Sequence, residues 1–259
     1  MGLPDGDGGV TGAAAGYEAR IEAILRRIDA EQRGTIERLG GAVAETIARG
    51  ALLHVFGSGH SHIAAEEVFH RAGGLCCINA IVDPALSGHG PFSMYLERLE
   101  GYVPVVLAQY DLRAGEHLIV VSNSGINAAP VEAALYGKAH GLVVTAVTAL
   151  AHSRAVPSRH SSGKRLFEVA DHVIDTCGPR GDAALAIPGI AEPVCATSTV
   201  TTAVIMNMLT ATVIERLVAA GVRPPVRVSA NVPERAGGND ALCAALEERI
   251  KLQPAYASR

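Results

Sequence analysis

The sequence predicts an α/β chain, a mainly parallel sheet flanked by helices within one domain. Three observations predict it. Short apolar runs alternate with segments of helical period. The composition is 49% hydrophobic yet only 4% aromatic, the aliphatic profile of strands buried under helices rather than of a β-sandwich. The 259 residues suit one large domain or two small ones, and neither an interior linker nor an internal repeat divides them. With 22 Lys+Arg against 26 Asp+Glu, there is no basic excess of the kind that marks a nucleic-acid binder. Such an aliphatic chain of modest charge is not disordered. No stretch approaches ~18 uncharged apolar residues, so no membrane span is expected. Cys76, Cys77, Cys177, Cys195 and Cys243 show no C-x-x-C spacing. They read as reduced thiols in a cytoplasmic protein, acting as small hydrophobes.

Taken in order, residues 1–16 are rich in glycine and alanine and lack the regions of a signal peptide; they read as a flexible leader. Ile21, Ile24, Leu25 and Ile28, then Ile36, Leu39, Val43 and Ile47, recur at helical spacing and predict a helical hairpin broken near Gly34. Ala51–Phe56 reads as a buried strand, Ser61–Ala72 as a helix ended by Gly73-Gly74, and Cys76–Val82 as a second strand closed by Asp83-Pro84. Residues 85–115 are irregular, with helix around Tyr95–Leu107. His117–Val121 is a third strand, Ala128–His140 a helix, Leu142–Val147 a fourth strand and His172–Thr176 a fifth. Between the last two lies a polar loop, 150–163, with a short helix beginning near Gly163. After a Gly/Pro-rich loop, 178–193, a helix apolar almost all round runs from Thr197 to Ala220, buried in the core or in a subunit interface. A last helix covers Asp240–Lys251. The domain therefore spans 17–220, and 221–259 form an extension that packs on it or on a partner subunit.

Strand ends in a parallel sheet share one edge, where ligands bind. Two of those ends carry alike loops that open helices, Gly57-Ser58-Gly59-His60-Ser61-His62 and Ser122-Asn123-Ser124-Gly125-Ile126-Asn127. Small residues let backbone N–H groups approach an anion, the helix N-terminus adds partial positive charge, and the serine hydroxyls and the Asn127 amide add donors. Together they describe a pocket for a phosphate monoester, with no cofactor and no metal. Serine and glycine also end strands and cap helices for purely local reasons. A dinucleotide fingerprint fails because His62 stands at the sixth position of the Gly57-x-Gly59 match, and a Walker loop fails because Ser158 stands where its first glycine belongs.

These two loops resemble those of the SIS (sugar isomerase) domain family, and residues 20–220 are similar to it in element order. Phosphoheptose isomerases, N-acetylmuramate-6-phosphate etherases and the isomerase part of glucosamine-6-phosphate synthase share the pattern. The runs Phe56–Gly74, Leu96–Gly101, Cys177–Asp182 and Ser229–Val232 resemble a stand-alone SIS subfamily. The resemblance implies a five-stranded parallel sheet between helices, dimers or tetramers, and a phosphosugar ligand. By motif position Ser61, Ser122, Ser124 and Asn127 would bind phosphate, with Asn123 beside it.

An aldose–ketose isomerase needs one base and a positioned acid. In the helix after Ser61, His62, Glu66 and His70 fall at i, i+4 and i+8 on one face, and Glu67 and Arg71 form a second i, i+4 pair. Several relatives have glutamate where Arg71 stands; Glu66 and Glu67 are the possible substitutes, and Glu66 is preferred because two histidines share its face. The His62/Glu66/His70 stripe spans about 12 Å, too long for one ion to hold all three. Glu192, before the long helix, is a second candidate base in a region that the family often uses for acid/base work. His152 and Lys164 lie on loops at the ligand edge, and His89 between two glycines reads as a lid residue. Lys164 and Arg165, placed in a first helical turn, call for an anion: a sugar phosphate, Asp171 or a neighbouring subunit. The expected function is sugar-phosphate isomerisation. A phosphosugar sensor without a base, or an etherase-type lyase, are the alternatives.

Overall fold

The computed structural model describes residues 12–229, 231 and 240–250. Five strands, β1 (Leu53–Gly57), β2 (Ile78–Ile81), β3 (His117–Val121), β4 (Val143–Thr148) and β5 (His172–Asp175), form one sheet in the order β2-β1-β3-β4-β5. All its pairs are parallel, with Val55 opposite both Ala80 and Ile119. Alternate strand residues serve the two faces. Val55, Ile119, Val121 and Ile174 join a core with α1 (Ala13–Ala48), α2 (Ile63–Val68) and α8 (Ser198–Ala219). Phe56, Leu118, Val120 and Val144 join the opposite core with α4 (Tyr102–Leu107), α5 (Ala128–Ala139) and α7 (Leu166–Val169). The short α3 (Ser93–Leu96) and α6 (Leu150–Ser153), with α9 (Asp240–Glu247), are the other α-helices among the described residues. This is the three-layer α/β fold with a five-stranded parallel sheet that the sequence predicts.

Five expectations are corrected. The helical hairpin is one helix of 36 residues, α1. Gly34 lies on its exposed side, where a missing side chain costs helix propensity but no packing. The stripe Ile24, Ile28, Ile36, Leu39, Val43 and Ile47 stays buried along its whole length. Gly40 makes the approach to α8 possible, since a Cβ there would sit 2.5 Å from Thr212 Cγ2. Residues 13–16, assigned to the leader, already belong to α1, while residues 1–11 lie outside the described residues. The helix expected over 61–72 is a 3-10 turn, His60–His62, followed by α2, which stops at Val68. Phe69 is extended and His70 takes φ +48°, so the three-residue stripe on one helix face does not form. Within 178–193 the chain starts a small antiparallel hairpin, β6 (Ala183–Leu185) with β7 (Val194–Ala196). Finally, Cys76 and Cys243 are joined in a disulfide, Cα atoms 5.3 Å apart, rather than both being free thiols; Cys77 and Cys177 are buried and Cys195 exposed.

By length and composition α8 is a helix that passes as a membrane span, beyond what the run of apolar residues suggests. Its Ile205, Met206, Leu209, Val213 and Leu217 are instead buried in the core shared with α1. Of the last expected helix, Lys251 lies outside the described residues, as do residues 230 and 232 of the Ser229–Val232 run.

Candidate functional site

Strand order 2-1-3-4-5 reverses direction between β1 and β3, so the helices that follow these two strands leave on opposite faces and a crevice opens above the strand ends. A cleft of about 460 Å³ lies there. The loop after β1 folds back tightly. A Cβ on Gly57 would stand 2.3 Å from the Ser61 carbonyl oxygen, so only glycine fits. Gly59 N–H donates to the Leu86 carbonyl at 2.8 Å, and Ser61 N–H donates to the Ser58 carbonyl at 3.0 Å. The loop after β3 is pinned from its neighbours. Ala149 N–H donates to the Asn123 carbonyl at 3.0 Å and Leu166 N–H to the Gly125 carbonyl at 2.8 Å. Within the loop, Gly125 N–H donates to Ser122 Oγ at 3.1 Å.

Ser58, Ser61, Ser122, Asn123, Ser124 and Asn127 all line this cleft. Asn127 is the N-cap residue of α5 but makes no side-chain cap. Its amide oxygen accepts instead from Arg159 Nη1 at 2.9 Å, which leaves the amide nitrogen as a donor. The amide oxygen of Asn123 is buried without a hydrogen-bond partner.

The lining also holds residues that the sequence does not single out, Glu97, Asp182 and His60 among them. Glu97 accepts a hydrogen bond from Ser58 Oγ at 3.1 Å and brings a half-buried carboxylate into the cleft. Asp182 accepts from Thr197 N–H at 2.9 Å, Ser198 N–H at 2.8 Å and Ser198 Oγ at 2.6 Å. A carboxylate thus already occupies the positive end of α8. His60 lines the cleft beside them. Glu97 and Asp182 both fall in runs that carry the family resemblance, Leu96–Gly101 and Cys177–Asp182, and that was the available signal.

The remaining expected residues stand outside the cleft lining. His62 is buried, with Nδ1 hydrogen-bonded to the Gly59 carbonyl and Nε2 3.6 Å from Glu66. Glu66 is exposed, as is Glu192 in the segment before β7. Arg71 donates to Glu67 at 3.0 Å, and His70 follows the end of α2. The expected lid residue His89 makes an edge-on ring contact with His62. His152 Nδ1 accepts from Gly181 N–H at 2.8 Å, and burial holds its ring below the ordinary histidine pKa. It therefore serves as a neutral acceptor tying down the 178–182 loop. Lys164 is exposed. The anion that offsets the cations at the start of α7 is Glu168, which receives Arg165 Nε at 2.9 Å and Nη2 at 2.8 Å. Those bonds, with that of the Arg165 N–H, pull its carboxyl down to about 2. Asp171 is engaged by Lys138 and by Val144 N–H. Among the described residues no three His, Cys, Asp or Glu side chains gather as a metal site.

Residues 16–149, which hold both serine loops, match the model of the SIS domain. The chain belongs to the SIS domain family. Within it the chain groups with the UPF0309 proteins. It is 45% identical to one from Caldanaerobacter subterraneus subsp. tengcongensis, over 82% of this chain and 89% of the relative. It is 40% identical to another from Streptomyces griseus, over 83% of this chain and 87% of that relative. Among solved structures the SIS fold is shared with phosphoheptose isomerases from Neisseria gonorrhoeae and Francisella tularensis. Their TM-scores are 0.53 and 0.52, each at 13% identity, covering 78% of this chain and 97% of the other.

Proposed function

We propose that this SIS domain binds a phosphorylated sugar in the cleft above β1 and β3 and interconverts its aldose and ketose forms. The observation that carries the reading is the convergence of the two serine loops on one hollow that also receives the Glu97 carboxylate. Phosphate would take the hydroxyls of Ser61, Ser122 and Ser124 and the Asn127 amide, with Arg159 supplying positive charge behind that amide. A sugar hydroxyl would satisfy the orphan oxygen of Asn123. In the isomerisation a base removes the proton from the carbon beside the carbonyl while the carbonyl oxygen is protonated. The enediol then loses its other hydroxyl proton and regains a proton at the former carbonyl carbon. Glu97 replaces Glu66, Glu192 and His62 as the preferred base in this proposal, because it lines the cleft and they do not. Self-association belongs to the same reading: Phe92, Met94, Tyr95 and Leu99 are all more than half exposed beside the cleft, an apolar patch that a second copy would cover.

The test is the phosphate grip. Ser122→Ala with Ser124→Ala should weaken binding of a hexose 6-phosphate by at least about tenfold, the worth of one or two hydrogen bonds to a charged group, as measured by calorimetry. Unchanged affinity in a folded double variant would overturn the reading. A second reading, a phosphosugar sensor without catalysis, is favoured by Arg71, which stands where relatives often have glutamate and is tied to Glu67. Solvent deuterium exchange into a bound sugar phosphate separates the two.

A further inference from the structure

A second hollow, of about 300 Å³, opens at the opposite edge of the sheet, below the amino ends of β1 and β3. Arg49, Arg113 and Arg249 line it together with Thr46 and Glu116. The acids here are already engaged. Glu116 is buried and accepts from Leu52 N–H at 2.9 Å, Arg113 N–H at 3.0 Å, His54 Nε2 at 2.8 Å and Arg249 Nη2 at 3.1 Å. Asp111 takes Arg113 Nε at 3.0 Å and Nη2 at 2.6 Å, and Arg249 Nε at 2.9 Å. Among the described residues three guanidinium groups thus face two engaged carboxylates, leaving one positive charge in excess. Among the described residues Arg49 donates a hydrogen bond to a neutral group, Thr46 Oγ1, at 3.3 Å. The bonds of Arg113 to Asp111 use Nε and Nη2 and leave Nη1 for another acceptor. The main cleft is lined differently: hydroxyls, amides and the carboxylates of Glu97 and Asp182, with no lysine or arginine among its lining residues.

We propose that this hollow is a second oxyanion site, taking a phosphate group between Arg49 and Arg113 with Arg249 as its fixed base. Planar guanidinium forks match the oxygens of phosphate and favour it over a monovalent halide. Arg249 is held in place by Glu116 and Asp111, so the site is preorganised on that side, while Arg49 and Arg113 close on the ligand from the surface. Free phosphate and a phosphate monoester offer the same oxygens and are the two sources to compare.

The experiment uses the full chain carrying Ser122→Ala and Ser124→Ala, so that binding in the main cleft is weakened. Inorganic phosphate and, in a parallel arm, a hexose 6-phosphate are titrated at low salt while the backbone amide signals of Gly50 and Gly115 are followed by NMR. The expected result is saturable movement of both signals with at least one probe. Adding Arg49→Gln and Arg113→Gln should raise the apparent Kd by at least about tenfold, with the thermal unfolding transition retained. Arg49→Gln alone, on the exposed end of α1, keeps the test usable if the combined variant does not fold. No saturable movement with either probe overturns the proposal, and so does an affinity indifferent to the arginine changes. Loss of the serine-dependent binding in the main cleft is a separate readout. It bears on the sugar-phosphate reading and leaves the second site standing.

Discussion

Glu97 is the residue on which the proposed chemistry turns. Replacing it by glutamine keeps the size and the contact with Ser58 but removes the base. Glu97→Gln should therefore cut deuterium incorporation beside the sugar carbonyl by at least about 100-fold, the low end of a general base's contribution, and change ligand affinity only a few-fold. Exchange that is absent already in the unaltered chain would favour the sensor reading. The serine loops were legible in the sequence because their signal is local: an apolar run, then small residues, then a helical period. Glu97 was not, because its place depends on topology. β2 pairs on the far side of β1, so the chain returning from β2 to β3 must cross β1, and that crossing brings Gly88, Ser93, Met94 and Glu97 to the cleft. Nothing in the spacing around Glu97 announces the crossing.

At the scale of elements, local punctuation misled in two places. Gly34 in the first helix reads as a break, yet tertiary burial of the aliphatic stripe on either side carries the helix through it. Gly34→Ala should then stabilise the protein by up to about 1 kcal/mol and raise Tm by roughly 2–4 °C, read by thermal denaturation. A fall in Tm would mean that the helix is interrupted there. Around Glu66 and His70 the opposite happens. The helical period continues in the sequence, but α2 stops after six residues, and the chain turns towards Gly73, whose N–H reaches the Arg227 carbonyl at 2.9 Å. A contact made 154 positions away was outside any local reading. The strands fared better, because a buried parallel strand is a continuous apolar run and its ends are marked by polar loops.

For the molecule as a whole, the cores on either side of the sheet rest on an amino edge rich in ionisable groups. Burial pushes the His117 ring down to about 4, helped by nearby His172 and only partly opposed by the Ala42 carbonyl. The folded chain thus keeps His117 neutral where the unfolded chain, with an ordinary histidine pKa near 6.5, takes up a proton. Stability from this group is complete above about pH 6.5 and is lost as pH falls towards 4, by at most about 1.4 kcal/mol per pH unit. Denaturant unfolding across that window should show a shallower pH dependence in His117→Gln than in the unaltered chain, and parallel profiles would refute this role. Burial alone would raise the Glu116 carboxyl, but its bonds from His54, Arg249 and Leu52 hold it far below the carboxylate range. It therefore stays charged throughout the window, and the difference between the two profiles isolates the histidine.

The strand order has one more consequence, for the moment at which the cleft comes into being during synthesis. Its walls are drawn from Ser58 through Ser198, and β1 must wait for β3, leaving β2 to its other side. A nascent chain therefore exposes both serine loops well before it owns a pocket. Only when α8 has left the ribosome and docked along α1 can the hollow close, so the capacity to hold a ligand arrives with the last long-range contacts rather than with the loops that name it.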